Sequence, residues 1–302
     1  MTPSRWNWLL ALSLLLLVSA PLARADGIAL GSDLVTFAVL GATTVTNVPS
    51  SIVGGNVGVS PGSAITGSAG IVFTAGSVQA NTALAAAAQS ELTTALQVTG
   101  PGSLPPTSQL SSSELAGLTL APGVYSFSQF AGGFASLTGT SADPGVLTLD
   151  GEGNADATWV FQMASTLTTS AATEGAIPSS RVNVINAGSG AGLYWNVGSS
   201  ATLGTYSIFA GNILASTSIS LDTGATDACG RALASTGQVS LQMNSLDNLC
   251  PGTLAASNGL SGGLGAPPVS PVPEPATWGL LCTGVLTLLG LACLRPSAIL
   301  RA

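Results

Sequence analysis

The heptapeptide GNILAST at Gly211 returns as GRALAST at Gly230, 19 residues later. Leu203 and Leu221 are 18 apart. Four segments align around this period: MASTLTTS from Met163, VGSSATLGTYS from Val197, LASTSISLDTGAT from Leu214 and LASTGQVSL from Leu233. Short alternating β-type runs at a fixed spacing, with Gly and Ser at the corners, read as the coils of a β-solenoid. One coil cannot bury its own apolar face, so coils must stack into a continuous core. Short strands with Gly turns also suit a β-sandwich, but the repeat favours the solenoid.

One segment breaks the β pattern. Gln79 to Val98, QANTALAAAAQSELTTALQV, is rich in strong helix formers. Leu84, Ala88, Leu92 and Ala95 or Leu96 recur at helical spacing. Asn81 or Thr82 is placed to cap the start. The expectation is a helix over about 80–98, a rod of about 25 Å. Five or six coils at about 4.8 Å make a similar height, so the helix fits alongside the stack. The fold class is thus all-β dominated: a discontinuous β-solenoid with one long α-helix packed alongside.

Charged residues make up 6% of the 302 residues, while the apolar share is 46%. That is enough to build a core, which argues against disorder. Lysine and histidine are absent. From Asp26 to Val272 there are twelve acids against Arg181 and Arg231, a net charge of −10. Such a surface repels phosphate, which excludes nucleic acid as a partner.

Both ends read as addresses. Arg5, the apolar run Trp8 to Val18, and Ala23-Arg24-Ala25 compose a secretory signal peptide over residues 1–25, cleaved by signal peptidase before Asp26. Ala276 to Leu294 is a 19-residue stretch without charge, long enough to cross a bilayer, and Arg295 and Arg301 follow it. Membrane contact is expected through this segment only. Pro273, Glu274 and Pro275, then the span, then arginine, resemble the PEP-CTERM sorting signal of Gram-negative bacteria over 272–302, although the basic tail is thin. The resemblance implies an exosortase as processing partner and a destination at the cell surface or outside the cell. Residues 257–271 are rich in Gly, Ser and Pro and read as a linker, leaving 26–256 as the folded domain. Cys229 and Cys250 lie in the exported part, and an even pair outside the cytoplasm reads as a disulfide.

Several stretches, in order over residues 27–250, carry a second resemblance. They are LGSDLVTFAVLGATTVTN, GNVGVSPGSAITG from Gly55, the Ala-rich helix, LAGLTLAPGVYSF, LTLDGEGNADATWVFQMASTLTT from Leu147, the run from Val197, and GRALASTGQVSL. Together they resemble the microbial ice-binding (antifreeze) proteins, whose fold is a discontinuous β-solenoid with a flanking helix. The resemblance implies ice crystal as the partner and restraint of ice growth or recrystallisation as the activity. Ice offers no charge to pair with, so its binder needs a flat, rigid, uncharged face of small hydroxyls and methyls. Threonine supplies both groups on a stiff χ1, and stacked coils repeat them about every 4.8 Å.

Setting Leu167, Leu203 and Leu221 equal makes Thr169, Thr205 and Thr223 one column. In the family, Thr-Ala/Gly-x-Thr/Asn-like tetrads often bind ice. Thr223-Gly224-Ala225-Thr226 matches, and Ser63-Ala64-Ile65-Thr66 nearly does. The expected ice-binding residues are therefore Ser63, Thr66, Thr169, Thr205, Thr223 and Thr226. Positions three apart point to opposite sides of a regular strand, so both ends of a tetrad face ice only where a bulge or corner intervenes.

No catalytic constellation is legible. Without histidine or lysine there is no Ser-His-Asp triad, Schiff base or histidine-held metal, and the acids are scattered. Asp150 to Asp156, DGEGNAD, spaces oxygens as some calcium loops do, but Ala155 and Phe161 stand where an EF-hand needs Gly and Glu. It reads as a polar turn, and no cofactor is expected. The alternative function is a surface or biofilm-matrix protein that binds exopolysaccharide or mediates adhesion, without ice activity. Such faces expose aromatic platforms, whereas Trp159, Tyr194 and Trp195 lie in apolar runs that read as core.

Overall fold

A computed structural model describes residues 30–127, 133–140, 142–175 and 177–262. The signal peptide at 1–25, the Pro273-Glu274-Pro275 motif and the span at 276–294 lie outside the described residues.

The chain is a three-sided parallel β-solenoid. One face stacks Ser108–Gln109, Gly123–Ser126, Thr158–Met163, Gly192–Val197, Ile208–Ala215, Thr226–Ala234, Phe37–Gly41, Asn56–Val59 and Val78–Ala80. The second stacks Ala135–Leu137, Leu167–Thr169, Ala201–Leu203, Ile219–Leu221, Val239–Gln242, Thr44–Val48 and Ala64–Thr66. The third runs from Thr119–Leu120 through Gly145–Asp150 and Ser180–Ile185. It continues through the starts of the two long strands, then Ser245–Asp247, Ser51–Gly54 and Ile71–Ala75. The stack does not follow chain order. Val39 lies beside Ala232, Val45 beside Val239 and Ile52 beside Ser245, so the amino-terminal coils continue the stack beyond the carboxy-terminal ones.

Period-2 alternation decides what fills the interior. Leu203, Leu221, Leu241, Ile213 and Val239 point in and are fully buried. Tyr125, Phe161, Trp195 and Phe209 form an aromatic ladder with centroid spacings of 5.4, 4.2 and 4.9 Å. Trp159 and Tyr194 are also fully buried.

The helix, α1, spans Ala83–Thr99, and the Thr82 hydroxyl caps it by accepting from the Ala85 amide at 3.2 Å. Its Ala85, Ala88, Leu92 and Ala95 pack on the first face against Val160, Tyr194, Leu214 and Leu233. This face is consequently buried on both sides. Gln89 donates to the Ala234 carbonyl and Asn196 donates to the Leu96 carbonyl, fixing the helix along the stack.

The folded domain runs past the expected boundary at 256. Residues 257–262, read from composition as the start of a linker, form a strap against the first face. Leu260 is fully buried, Tyr194 donates its hydroxyl to the Ser261 carbonyl at 2.6 Å, and Asn212 donates to the carbonyls of Gly259 and Leu260. Arg231 completes the clamp, donating to the carbonyls of Val35 and Gly259 and to the side chains of Asn212 and Asn258. Burial pulls this guanidinium down to about 10, with Tyr194 and Asp227 acting the other way. A Gly/Ser composition hid the strap because most of its bonds to the first face are made by backbone carbonyls, which sequence does not mark. Cys229 and Cys250 form a disulfide.

Candidate functional site

The second face carries a single outward column. Ser136 pairs with Thr168, Thr168 with Thr202, Thr202 with Ser220, Ser220 with Ser240, Ser240 with Thr46, and Thr46 with Thr66. Seven successive rungs thus present a hydroxyl at one register position. At about 4.8 Å per rung the column is about 29 Å long. Each hydroxyl outside the terminal coil is flanked by inward residues: Ala135 and Leu137, Ala201 and Leu203, Ile219 and Leu221, Val239 and Leu241. Core packing therefore fixes the strand from behind and holds the column flush. The hydroxyls of Thr46, Thr66, Thr168 and Thr202 make no hydrogen bond among the described residues and face outward. Ser220 and Ser240 are 2.9 Å apart and bond to one another.

Beside this column lies a second, two residues earlier on each rung: Phe134, Thr166, Ser200, Ser218, Gln238, Thr44 and Ala64, with Phe134 exposed at the first rung. Here the hydroxyls serve the fold. Ser200 accepts from the Ser218 amide at 3.3 Å and Ser218 from the Gln238 amide at 3.2 Å, stapling neighbouring coils. Neither column contains a charged residue.

The sequence candidates separate. Thr66 is the last rung of the column, and Ser63 is exposed at the corner just before it. Thr205 and Thr223 occupy equivalent positions beyond the paired Leu203 and Leu221, at the corner between the second and third faces. There Thr223 donates to Gln242 at 3.1 Å. Thr226 lies past that corner and opens a third-face strand, paired with Ile208 and Ser245. The corner is a turn closed by the Ala225 amide on the Asp222 carbonyl, with Ala225 buried, so the tetrad straddles two faces. Thr169 is a correction. Leu167 pairs with Ala201, not Leu203, and Thr169 points inward, 4% exposed, accepting from the Gly204 amide. A residue two beyond an inward leucine faces inward again.

Several acids are engaged one at a time in structure. Glu91 accepts the amides of Asp33 and Leu34. Asp150 accepts from the Glu152 amide and Asn186, which pull its carboxyl below the ordinary value and make DGEGNAD a polar turn. Asp227 is wholly buried, and desolvation raises its carboxyl well above the carboxylate range. Glu114 stands beside Ser136 in the next register position. Desolvation raises its carboxyl, but bonds from Thr138, Ala116 and Ser136 outweigh this and leave it lowered.

A parallel solenoid with one uncharged, regularly hydroxylated face is suited to adsorbing to an extended surface. The comparisons agree in kind. The family model described as ice-binding-like matches residues 39–247, and the chain belongs to this family. It is 41% identical over 233 residues to an ice-binding protein of Nostoc sp. (strain HG1), covering 76% of this chain and 77% of that protein. The ice-binding protein of the Antarctic ascomycete Antarctomyces psychrotrophicus superposes with TM-score 0.61 at 33% identity, covering 71% of this chain and 95% of that one. An ice-binding protein from an Antarctic biological consortium gives 0.62 at 32% identity, covering 72% and 90%.

Proposed function

We propose that this chain is an exported ice-binding protein that adsorbs to ice through the column Ser136, Thr168, Thr202, Ser220, Ser240, Thr46 and Thr66, and so restrains ice growth or recrystallisation. The observation that carries this reading is the unbroken, uncharged run of hydroxyls on one flat face. Adsorption requires no catalytic group or cofactor. The relatives named above as ice-binding proteins support the activity. A signal peptide ending before Asp26 and exosortase processing near Pro273-Glu274-Pro275 would take the domain to the cell surface or beyond it. Exopolysaccharide binding is disfavoured because Trp159, Tyr194 and Trp195 are buried and offer no platform.

The test is to place bulk on each candidate face in turn. Thr202→Tyr interrupts the column at its centre, and Thr226→Tyr does the same on the third face. Thermal hysteresis and recrystallisation inhibition are measured on both, with circular dichroism as the fold control. Thr202→Tyr is expected to lose roughly tenfold or more in potency, the factor that about 1.4 kcal/mol of lost contact gives. Thr226→Tyr is expected to keep it. The opposite ranking in folded variants moves the site to the third face, and no activity in the parent chain removes the ice reading.

A further inference from the structure

The two ends of the stack are built differently. At one end the edge is blunted. Pro105 and Pro106 precede the edge strand Ser108–Gln109, and the Glu114 carboxylate occupies the position after Ser136, taking up the Thr138 and Ala116 amides. Prolines and charges on edges are how sheets avoid pairing with further strands. At the other end all three strands of the last coil, Ala64–Thr66, Ile71–Ala75 and Val78–Ala80, have a neighbour on one side only among the described residues. The final inward layer, Ile65 and Phe73, is only partly buried because no coil covers it. From Val48 to Gln89 there is no charged residue, and the coil's proline, Pro61, sits at a corner rather than on a strand.

We infer that this open end is an interface with a second copy of the chain, joined end to end about a two-fold axis through Ile65. Ala64–Thr66 then lies antiparallel to its own copy, and Ile71–Ala75 of each protomer meets Val78–Ala80 of the other. The surface is self-complementary, as a two-fold interface requires. A partner of opposite charge has nothing to grip on an uncharged end, whereas a copy of this net-acidic chain meets no repulsion there. The strap at 257–262 runs from the Ser245–Asp247 coil towards Gly192, away from the open end. The joint is a single coil wide, so the dimer is concentration-dependent. Two seven-rung columns joined this way share one plane and make a face twice as long.

The experiment reads association without ice, so its outcome is independent of the ice-binding reading. The full chain is sedimented in a nonionic detergent over a range of concentrations, beside the double variant Val72→Lys/Val78→Lys. Both positions are exposed, at 54% and 40%, so folding is retained, and like charges then face each other across the joint. The parent is expected to shift to dimer as concentration rises and the double variant to stay monomeric. Ile65→Cys is expected to cross-link to itself under mild oxidation, above the background of the parent chain, while Thr202→Cys does not. A parent that stays monomeric, a dimer indifferent to the lysines, or an Ile65→Cys chain without the cross-link each overturns the proposal.

Discussion

Removing the bridge between Cys229 and Cys250 tests how much the domain depends on covalent closure. The two cysteines are 21 residues apart. The chain-entropy relation assigns a loop of that length about 3 kcal/mol at 25 °C. For a domain of this size each kcal/mol moves the melting temperature by about 2–4 °C, so Cys229→Ala/Cys250→Ala should melt about 6–12 °C lower. Alanine avoids leaving unpaired thiols at sites only 6% and 4% exposed. The assay is thermal unfolding by circular dichroism, with reduced parent as a second comparison. The bridge lies at the corner opposite the Ser/Thr face, so thermal hysteresis near 0 °C should not change. A melting shift under about 2 °C in both samples would refute the argument. The register of Thr226 with Ser245 and Asp227 with Leu246 would then be holding that loop unaided.

Two further outcomes follow from buried and bonded groups. Arg231→Met leaves the Val35 carbonyl and the Asn212 side-chain oxygen without the donor Arg231 supplies, which should cost about 1–3 kcal/mol for each group. The strap should also become cleavable, seen as a lower melting temperature and early proteolysis at 257–262. The Glu114 carboxyl is lowered from the ordinary 4.5, so its contribution is full above that value and is lost as pH falls through the folded pKa. The Thr138 and Ala116 amide resonances should titrate together with a midpoint below 4.5, and Glu114→Gln should abolish that titration.

How much of this was legible in the sequence depends on what each element needs. The helix was legible because composition and the 3.6 period agree, and it starts at Ala83 with Thr82 as cap. The two regular coils were legible too: Leu203 does pair with Leu221. The coil before them was not. Leu167 to its partner Ala201 is 34 residues, lengthened by the turns at 170–179 and 186–191, so a period of 18 to 19 misaligned it. The error chose Thr169, an inward residue, and passed over Thr168 beside it. A usable signal was present in the tripeptides Ala135-Ser136-Leu137, Ala201-Thr202-Leu203, Ile219-Ser220-Leu221 and Val239-Ser240-Leu241. A hydroxyl between two apolar residues on a short strand must point outward. Thr46 and Thr66 were harder, because only the out-of-order stacking brings the amino-terminal coils beside Val239–Gln242.

That stacking order bears on how the chain reaches its native state. In an ordinary solenoid, losing residues from the carboxyl terminus removes the end coil and leaves a shorter rod, since each repeat leans only on its neighbours. Here the last coil, with Thr226–Ala234 and Val239–Gln242, is the keystone between the middle of the rod and its amino-terminal end. A chain stopped before Thr226 would hold two half-rods with raw ends and no joint. Completion is therefore signalled by the Thr226–Gln242 coil, and a growing chain is committed to its shape only when nearly all of the domain has been made.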